Sequence, residues 1–109
     1  MVDRAIVDSV QNYLQHLSEQ GLAVSFAVVF GSHAKGESHE WSDIDLLVVS
    51  PRFDEPLERD DINRLWRVAA RTDSRIEPIP CGTRQWTEDA SMSIIEIARR
   101  EGTRILPAA

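Results

Sequence analysis

The apolar positions of this chain recur at helical spacing near its start and then form continuous runs. Residues 3 to 20 carry an apolar stripe with that spacing, which predicts an amphipathic helix ended by Gly21. Residues 22 to 30 and 44 to 50 are apolar runs rich in β-branched residues, and they predict two buried strands. A short polar helix or loop is expected between these strands, over residues 32 to 38.

The second half of the chain repeats this alternation less regularly. A second helix is predicted over residues 60 to 72, with an inner stripe formed by Ile62, Leu65, Trp66 and Ala69. Residues 75 to 80 contain two prolines, which favour an edge strand. Thr87 is predicted to cap a last helix that extends to about residue 101, and residues 103 to 106 can add a short terminal strand.

Strands that alternate with helices indicate an α/β (α+β) domain built on a small mixed sheet flanked by helices. The first connection between strands is short, which allows local antiparallel pairing. The second is long enough for a crossover. The length of 109 residues predicts one domain, residues 1–109, with little material for a separate substrate domain.

The charge balance narrows the classes of partner. The formal net charge is −6, which makes long polyanions poor partners and argues against stable nucleic-acid binding. A chelated metal or a basic protein surface suits this balance better. Cys81 is the only cysteine, so neither an intrachain disulfide nor a cysteine zinc site is expected. No apolar run is long enough to span a membrane, and a cytoplasmic location is expected.

Two carboxylates stand at the start of the second predicted strand. Asp43 and Asp45 are separated by one residue, so their side chains should share one face of the strand while Ile44 points into the core. Two like charges so close raise a pKa unless a cation lies between them. Mg²⁺, a hard cation that takes carboxylates and substrate phosphates, is the expected ion. The alternative is a strand entrance where Ser42 and Asp43 only cap a turn.

A small-residue turn follows the first predicted strand. Gly31 and Ser32 leave backbone N–H groups free to face an anion, and the serine hydroxyl can donate to a phosphate oxygen. A glycine–serine pair alone is usually only a turn. Together with Asp43 and Asp45 at the next strand, it predicts a phosphate holder beside a metal holder, and therefore a nucleoside triphosphate.

Glu77 is the candidate for a third carboxylate, because an acid is out of place in its extended apolar segment. If its strand neighbours the strand of Asp45, the three acids can hold two metal ions, one for the attacking oxygen and one for the leaving phosphates. The alternative is an exposed edge residue that pairs with Arg75.

Other residues near these acids have less specific interpretations. His33 and His39 could touch a phosphate or a base, although solvated loop histidines are the commoner case. Trp41 could stack on a base or serve packing. Cys81 is expected to be a small buried hydrophobe and Trp66 a core residue.

The order of these motifs resembles a known signature. A Gly-Ser pair, ten intervening residues and then "DID" followed by "LLVVS" is similar to the signature of the DNA polymerase β-like nucleotidyltransferase superfamily. The short length is similar to that of the minimal nucleotidyltransferases (MNT), which are paired with HEPN-domain partners in toxin–antitoxin systems. The chain departs from the family in having Lys35 where arginine is common and Glu77 where aspartate is common.

The resemblance implies a nucleotidyltransferase fold and a set of roles. Gly31 and Ser32, with Lys35 and Ser42 nearby, would bind the triphosphate of ATP, while Asp43, Asp45 and Glu77 would be catalytic and would ligate one or two Mg²⁺ ions. The acceptor would be a hydroxyl on a HEPN-type toxin, silenced by transfer of AMP. Two alternatives stay open: an antitoxin that only occludes its partner, and a small-molecule transferase whose partner supplies the acceptor site. A homo- or hetero-oligomer is expected because the core is small.

Overall fold

A computed structural model describes residues 2–36, 42–88 and 93–108 of the chain. The helices are α1 (Arg4–Glu19), α2 (Ser32–Lys35), α3 (Arg59–Thr72), α4 (Thr83–Glu88) and α5 (Ser93–Glu101), with a 3-10 turn at Pro51–Asp54. The strands are β1 (Phe26–Phe30), β2 (Ile44–Val49), β3 (Ile76–Cys81) and β4 (Thr103–Ile105). They confirm the expected α/β class.

The strands form one mixed sheet in the order β3-β2-β1-β4. β1 pairs antiparallel with β2 and with β4, while β3 pairs parallel with β2 through the α3 crossover. These pairings confirm the predictions from connection length. The proline-containing strand β3 lies at an edge, as its composition predicts.

Each face of the sheet is covered by a different pair of helices. The first face packs against α1 and α3, whose core residues include Val10, Leu14 and Leu65, all at most 2% exposed. The second face packs against α5 and the Trp86 ring of α4. Because side chains alternate along a strand, β2 sends Ile44 to the first face and Asp45 to the second. The charged residues of β2 and β3 therefore share the second face.

Two sequence-based expectations about these elements were wrong. The first strand begins at Phe26, not at residue 22, because the preceding residues close α1: the Leu22 N–H donates to the Leu17 carbonyl at 3.0 Å. Trp66 is 49% exposed, since α3 buries Asp61, Leu65, Val68 and Ala69. Asp61 turns inward because its carboxylate accepts from the Arg52 guanidinium at 3.0 Å.

The start of the last helical region was also misplaced. Thr87 does not cap a helix; it lies inside α4, which begins at Thr83. The cap comes from a distant residue. The Asp54 carboxylate accepts from the Arg84 N–H at 3.0 Å and from the Thr83 hydroxyl. A local pattern could not predict a cap supplied from the 3-10 turn.

Candidate active site

Gly31 turns the chain sharply at the end of β1 and stands directly before α2. Its φ of 73° and ψ of −147° lie in a region that glycine alone adopts readily. A Cβ at this position would lie 2.3 Å from Oδ2 of Asp45 and 3.3 Å from its Cγ. Only a glycine therefore lets the backbone of this turn contact the Asp45 carboxylate.

Asp43 and Asp45 flank a core residue. Ile44 is fully buried, Asp45 is half-buried, and Asp43 is exposed. Asp45 faces Phe30 across the antiparallel pair, which explains why the turn after Phe30 meets its carboxylate. The structure thus brings Gly31 and Asp45 together from two neighbouring strands.

Glu77 lies beside Asp45 on the other side of β2. The parallel register aligns Asp45 with Glu77, and residues aligned in this way project on the same face. Glu77 is half-buried and close enough to Asp43 and Asp45 for their charges to raise its pKa, after partial burial itself. Arg75 pairs instead with Asp73, Nη2 to Oδ2 at 2.7 Å, so the structure does not support the alternative in which Glu77 pairs with Arg75.

Asp73 fixes the chain at the entrance of β3. Its carboxylate accepts from the Ser9 hydroxyl at 2.6 Å and from the Arg75 N–H at 3.0 Å, which joins α1, the end of α3 and the start of β3. The Ile44 N–H then donates to the Arg75 carbonyl at 2.8 Å. This network sets the register of β3 against β2, and the register places Glu77 beside Asp45.

Burial and neighbouring carboxylates raise the pKa of two of the clustered acids, Asp45 and Glu77. Burial and then the charge of Asp43 raise the pKa of Asp45, while the hydrogen bond with Glu77 and the nearby His33 oppose that rise. Partial burial followed by the charges of Asp43 and Asp45 raises the pKa of Glu77. Both directions follow from carboxylates crowded together and partly removed from water, where the charged form is disfavoured.

The donor chemistry of the cluster fits Mg²⁺. Within the described part of the chain, no group of three or more His, Cys, Asp or Glu side chains already has the geometry of a metal site. Carboxylate oxygens are nevertheless the ligands that this ion takes, and a cation would relieve the repulsion that raises the pKa of Asp45 and of Glu77. Asp43, Asp45 and Glu77 are the residues that would hold it.

His33 has a structural position that sequence reasoning missed. It is 5% exposed rather than solvated, and its Nε2 lies 3.1 Å from the Ser42 carbonyl oxygen. This contact ties α2 to the residue before Asp43 across the segment 37–41. The spacing of His33 from Gly31 carries no signal for such a contact, because it forms only when the two strands pair.

Some of the remaining candidate residues lie in the described part of the chain, and others do not. Cys81 is fully buried, as predicted. The Ser42 backbone belongs to the His33 contact. His39, Trp41 and the side chain of Lys35 lie outside the described residues. Across residues 2–36, 42–88 and 93–108, no helix has both the length and the apolar character needed to cross a membrane.

Comparisons with known proteins identify the family of the domain. A family model for the nucleotidyltransferase domain matches residues 10–98, which is most of the chain. No curated protein matches by sequence.

Solved structures with similar folds include a toxin–antitoxin complex with AMP-PNP, at 20% identity and a TM-score of 0.61, covering 90% of this chain and 73% of that chain. A mutant MntA–HpeT toxin–antitoxin is similar at 18% identity and a TM-score of 0.60, with 90% and 73% covered. A complex of a tri-AMPylated HEPN toxin from Shewanella oneidensis with its MNT antitoxin is similar at 17% identity and 0.55, with 90% and 70% covered.

The family match spans the elements that form the site, from within α1 through β1, β2 and β3 into α5. At these identities the solved structures show a shared fold, which is also the fold of antitoxins in toxin–antitoxin complexes. The matched segment, the fold and the cluster of acids beside a glycine turn lead to one conclusion: this chain belongs to the nucleotidyltransferase domain family.

Proposed function

We propose that the chain transfers AMP from Mg·ATP to a hydroxyl on a HEPN-type protein partner and releases pyrophosphate. The observation that carries this proposal is the position of Asp45, whose carboxylate contacts the Gly31 turn on one side and aligns with Glu77 on the other. A phosphate-binding turn, a central acid and a second acid thus follow one another across three adjacent strands.

This order suits an in-line displacement at the α-phosphorus. The Gly31–Ser32 turn, at the start of α2, lies on the β1 side and binds the β- and γ-phosphates, which leave as pyrophosphate. Glu77 lies on the β3 side, opposite the leaving group, where an attacking hydroxyl must approach. Asp43 and Asp45 lie between the two.

Each residue has a defined part in this scheme. Asp43, Asp45 and Glu77 would hold Mg²⁺, and the Glu77 carboxylate, on the side from which the acceptor approaches, would also accept the proton of the acceptor hydroxyl. The Ser32 hydroxyl and neighbouring amides orient the triphosphate. Mg²⁺, when bound, neutralises the charge that develops on the phosphates. His33 keeps the Asp43 backbone in place through Ser42.

A HEPN-type toxin is the acceptor that the comparisons favour. One similar fold belongs to an MNT antitoxin bound to a tri-AMPylated HEPN toxin, and another to a toxin–antitoxin complex with an ATP analogue. The net charge of −6 also suits a basic partner that itself binds RNA. Addition of AMP to the toxin would silence it.

The test is an incubation of the chain with α-labelled ATP, Mg²⁺ and the protein encoded by the neighbouring gene. Label should move to that protein, and the double substitution Asp43→Ala/Asp45→Ala should abolish the transfer. Undiminished transfer by the double variant would refute the assigned site. Tight binding of the partner without Mg·ATP binding in calorimetry would instead support an antitoxin that acts by occlusion.

A further inference from the structure

A groove of about 500 Å³ opens at the free edge of β3. Its apolar lining comes from two elements, Phe53 and Leu57 after β2 and Ile79 and Pro80 on β3. Glu55 and Arg84 form part of its polar rim. We name these six residues the β3 groove. None of the three acids Asp43, Asp45 and Glu77 lines this groove.

The β3 groove begins close to Glu77. Ile79 is two residues further along the same strand and projects on the same face, which separates the two Cα atoms by about 7 Å. Along the sheet, the order is the Gly31 turn, Asp45, Glu77 and then the groove. The groove therefore lies on the side from which an acceptor must approach in an in-line reaction, away from the triphosphate.

The edge of β3 rules out one mode of binding. Pro78 and Pro80 have no N–H group, and the flanking carbonyls of Arg75 and Cys81 accept from β2, at the Ile44 and Ser50 N–H groups. Because successive backbone groups along a strand face alternate sides, the backbone nitrogens of Pro78 and Pro80 face the free edge, away from β2. A peptide cannot pair fully as an added strand there, so a partner must use side chains.

The composition of the groove specifies those side chains. Leu57 is 47% exposed over an apolar floor, which suits a buried apolar anchor. A second depression of about 260 Å³ shares Glu55 and is lined also by Glu58 and by Asp61, which pairs with Arg52. Exposed Glu55 and Glu58 give this rim an acidic character that complements basic residues.

We propose that the β3 groove binds the acceptor polypeptide, through an apolar side chain flanked by basic residues. A polypeptide spans about 3.3–3.6 Å per residue, so the anchor lies about two to four residues from the hydroxyl that receives AMP. The inference rests on the proposed function, because that function supplies the acceptor. It adds the surface that selects the partner.

The test compares Leu57→Gln with Leu106→Gln. Both leucines are exposed, at 47% and 61%, but Leu106 follows β4 at the opposite edge of the sheet. With the protein encoded by the neighbouring gene as the probe, Leu57→Gln should raise both the Kd for that protein and the KM of AMP transfer by about 10-fold. The kcat and the affinity for Mg·ATP should stay within twofold of the wild type, and Leu106→Gln should match the wild type throughout.

A charge reversal, Glu55→Lys, provides a second measurement at an exposed position where misfolding is not expected. It should weaken partner binding and make the remaining affinity less sensitive to salt. Unchanged Kd values in both Leu57→Gln and Glu55→Lys would overturn the groove proposal, whether or not AMP is transferred. A wild-type chain that binds the partner through Leu57 yet transfers no AMP would refute the proposed function and leave the docking surface established.

Discussion

Substitution of Gly31 by alanine tests the contact between the Gly31 turn and the Asp45 carboxylate. An added Cβ would lie 2.3 Å from Oδ2 of Asp45, so the carboxylate and the turn must separate by about 1 Å to reach an ordinary contact. The φ of 73° and ψ of −147° add a backbone penalty of about 1–3 kcal/mol. A displacement of about 1 Å in a catalytic group costs on the order of 10²-fold in rate.

Gly21→Ala is the matched control. Gly21 ends α1 with a φ of 87°, and an added Cβ would meet nothing within 4 Å. It should lose about 1–2 kcal/mol of unfolding free energy through the left-handed backbone alone. Its AMP transfer at a temperature where it is fully folded should equal that of the wild type.

The assay combines urea unfolding with single-turnover AMP transfer for both variants. Gly31→Ala should lose about 10²-fold in rate even where it is fully folded, whereas Gly21→Ala should lose only stability. If a fully folded Gly31→Ala variant keeps half or more of the wild-type rate, the predicted role of this contact is wrong. The position of the Asp45 carboxylate would then not depend on close approach of the Gly31 turn.

Three further side chains give separate tests. Glu77→Gln should raise the free energy of unfolding at neutral pH in metal-free buffer, since it removes a charge that partial burial and the charges of Asp43 and Asp45 disfavour, and should abolish transfer. The gain should shrink as the pH falls through the raised pKa of Glu77; an unchanged or lower neutral stability would contradict the electrostatics. Hydrogen bonds, first from Arg75, hold the pKa of Asp73 at about 2, below its ordinary 3.8. Its carboxylate therefore adds stability above about pH 4 that is lost as the pH falls through 2. Asp73→Asn should remove about 1–2 kcal/mol at neutral pH after allowance for screening, and flatten the acid limb of urea titrations. His33→Ala should lower kcat about 10-fold while the Kd for Mg·ATP changes little, because His33 positions Asp43 through Ser42; an unchanged kcat would contradict that role.

Local periodicity was enough to predict the elements that carry the acids. Alternation along β2 directs Ile44 into the core and Asp45 to the opposite face, and this follows from the order of these residues in the sequence. The small-residue turn was equally visible. The alignment of Glu77 with Asp45 needed one more condition, that the two strands be neighbours, which the connection lengths favoured but did not determine.

Apart from the late start of β1, the features that were missed depend on contacts between different elements of the fold. Asp54 caps α4 across 29 and 30 residues, so the local pattern placed the helix start too late. The Arg52–Asp61 pair turns α3 and leaves Trp66 exposed. His33 is buried only because Ser42 returns beside it. Periodicity reports which face of an element is apolar, but it does not report which polar group a distant segment will supply.

Asp45, between the Gly31 turn and Glu77, is the centre of the proposed AMP transfer. Mass spectrometry of the intact HEPN partner after incubation with Mg·ATP, together with pyrophosphate quantification, tests it most directly. One pyrophosphate should be released for each AMP attached, and Asp45→Asn should lose both the release and the modification. A partner that stays unmodified, or modification that persists in Asp45→Asn, would contradict it.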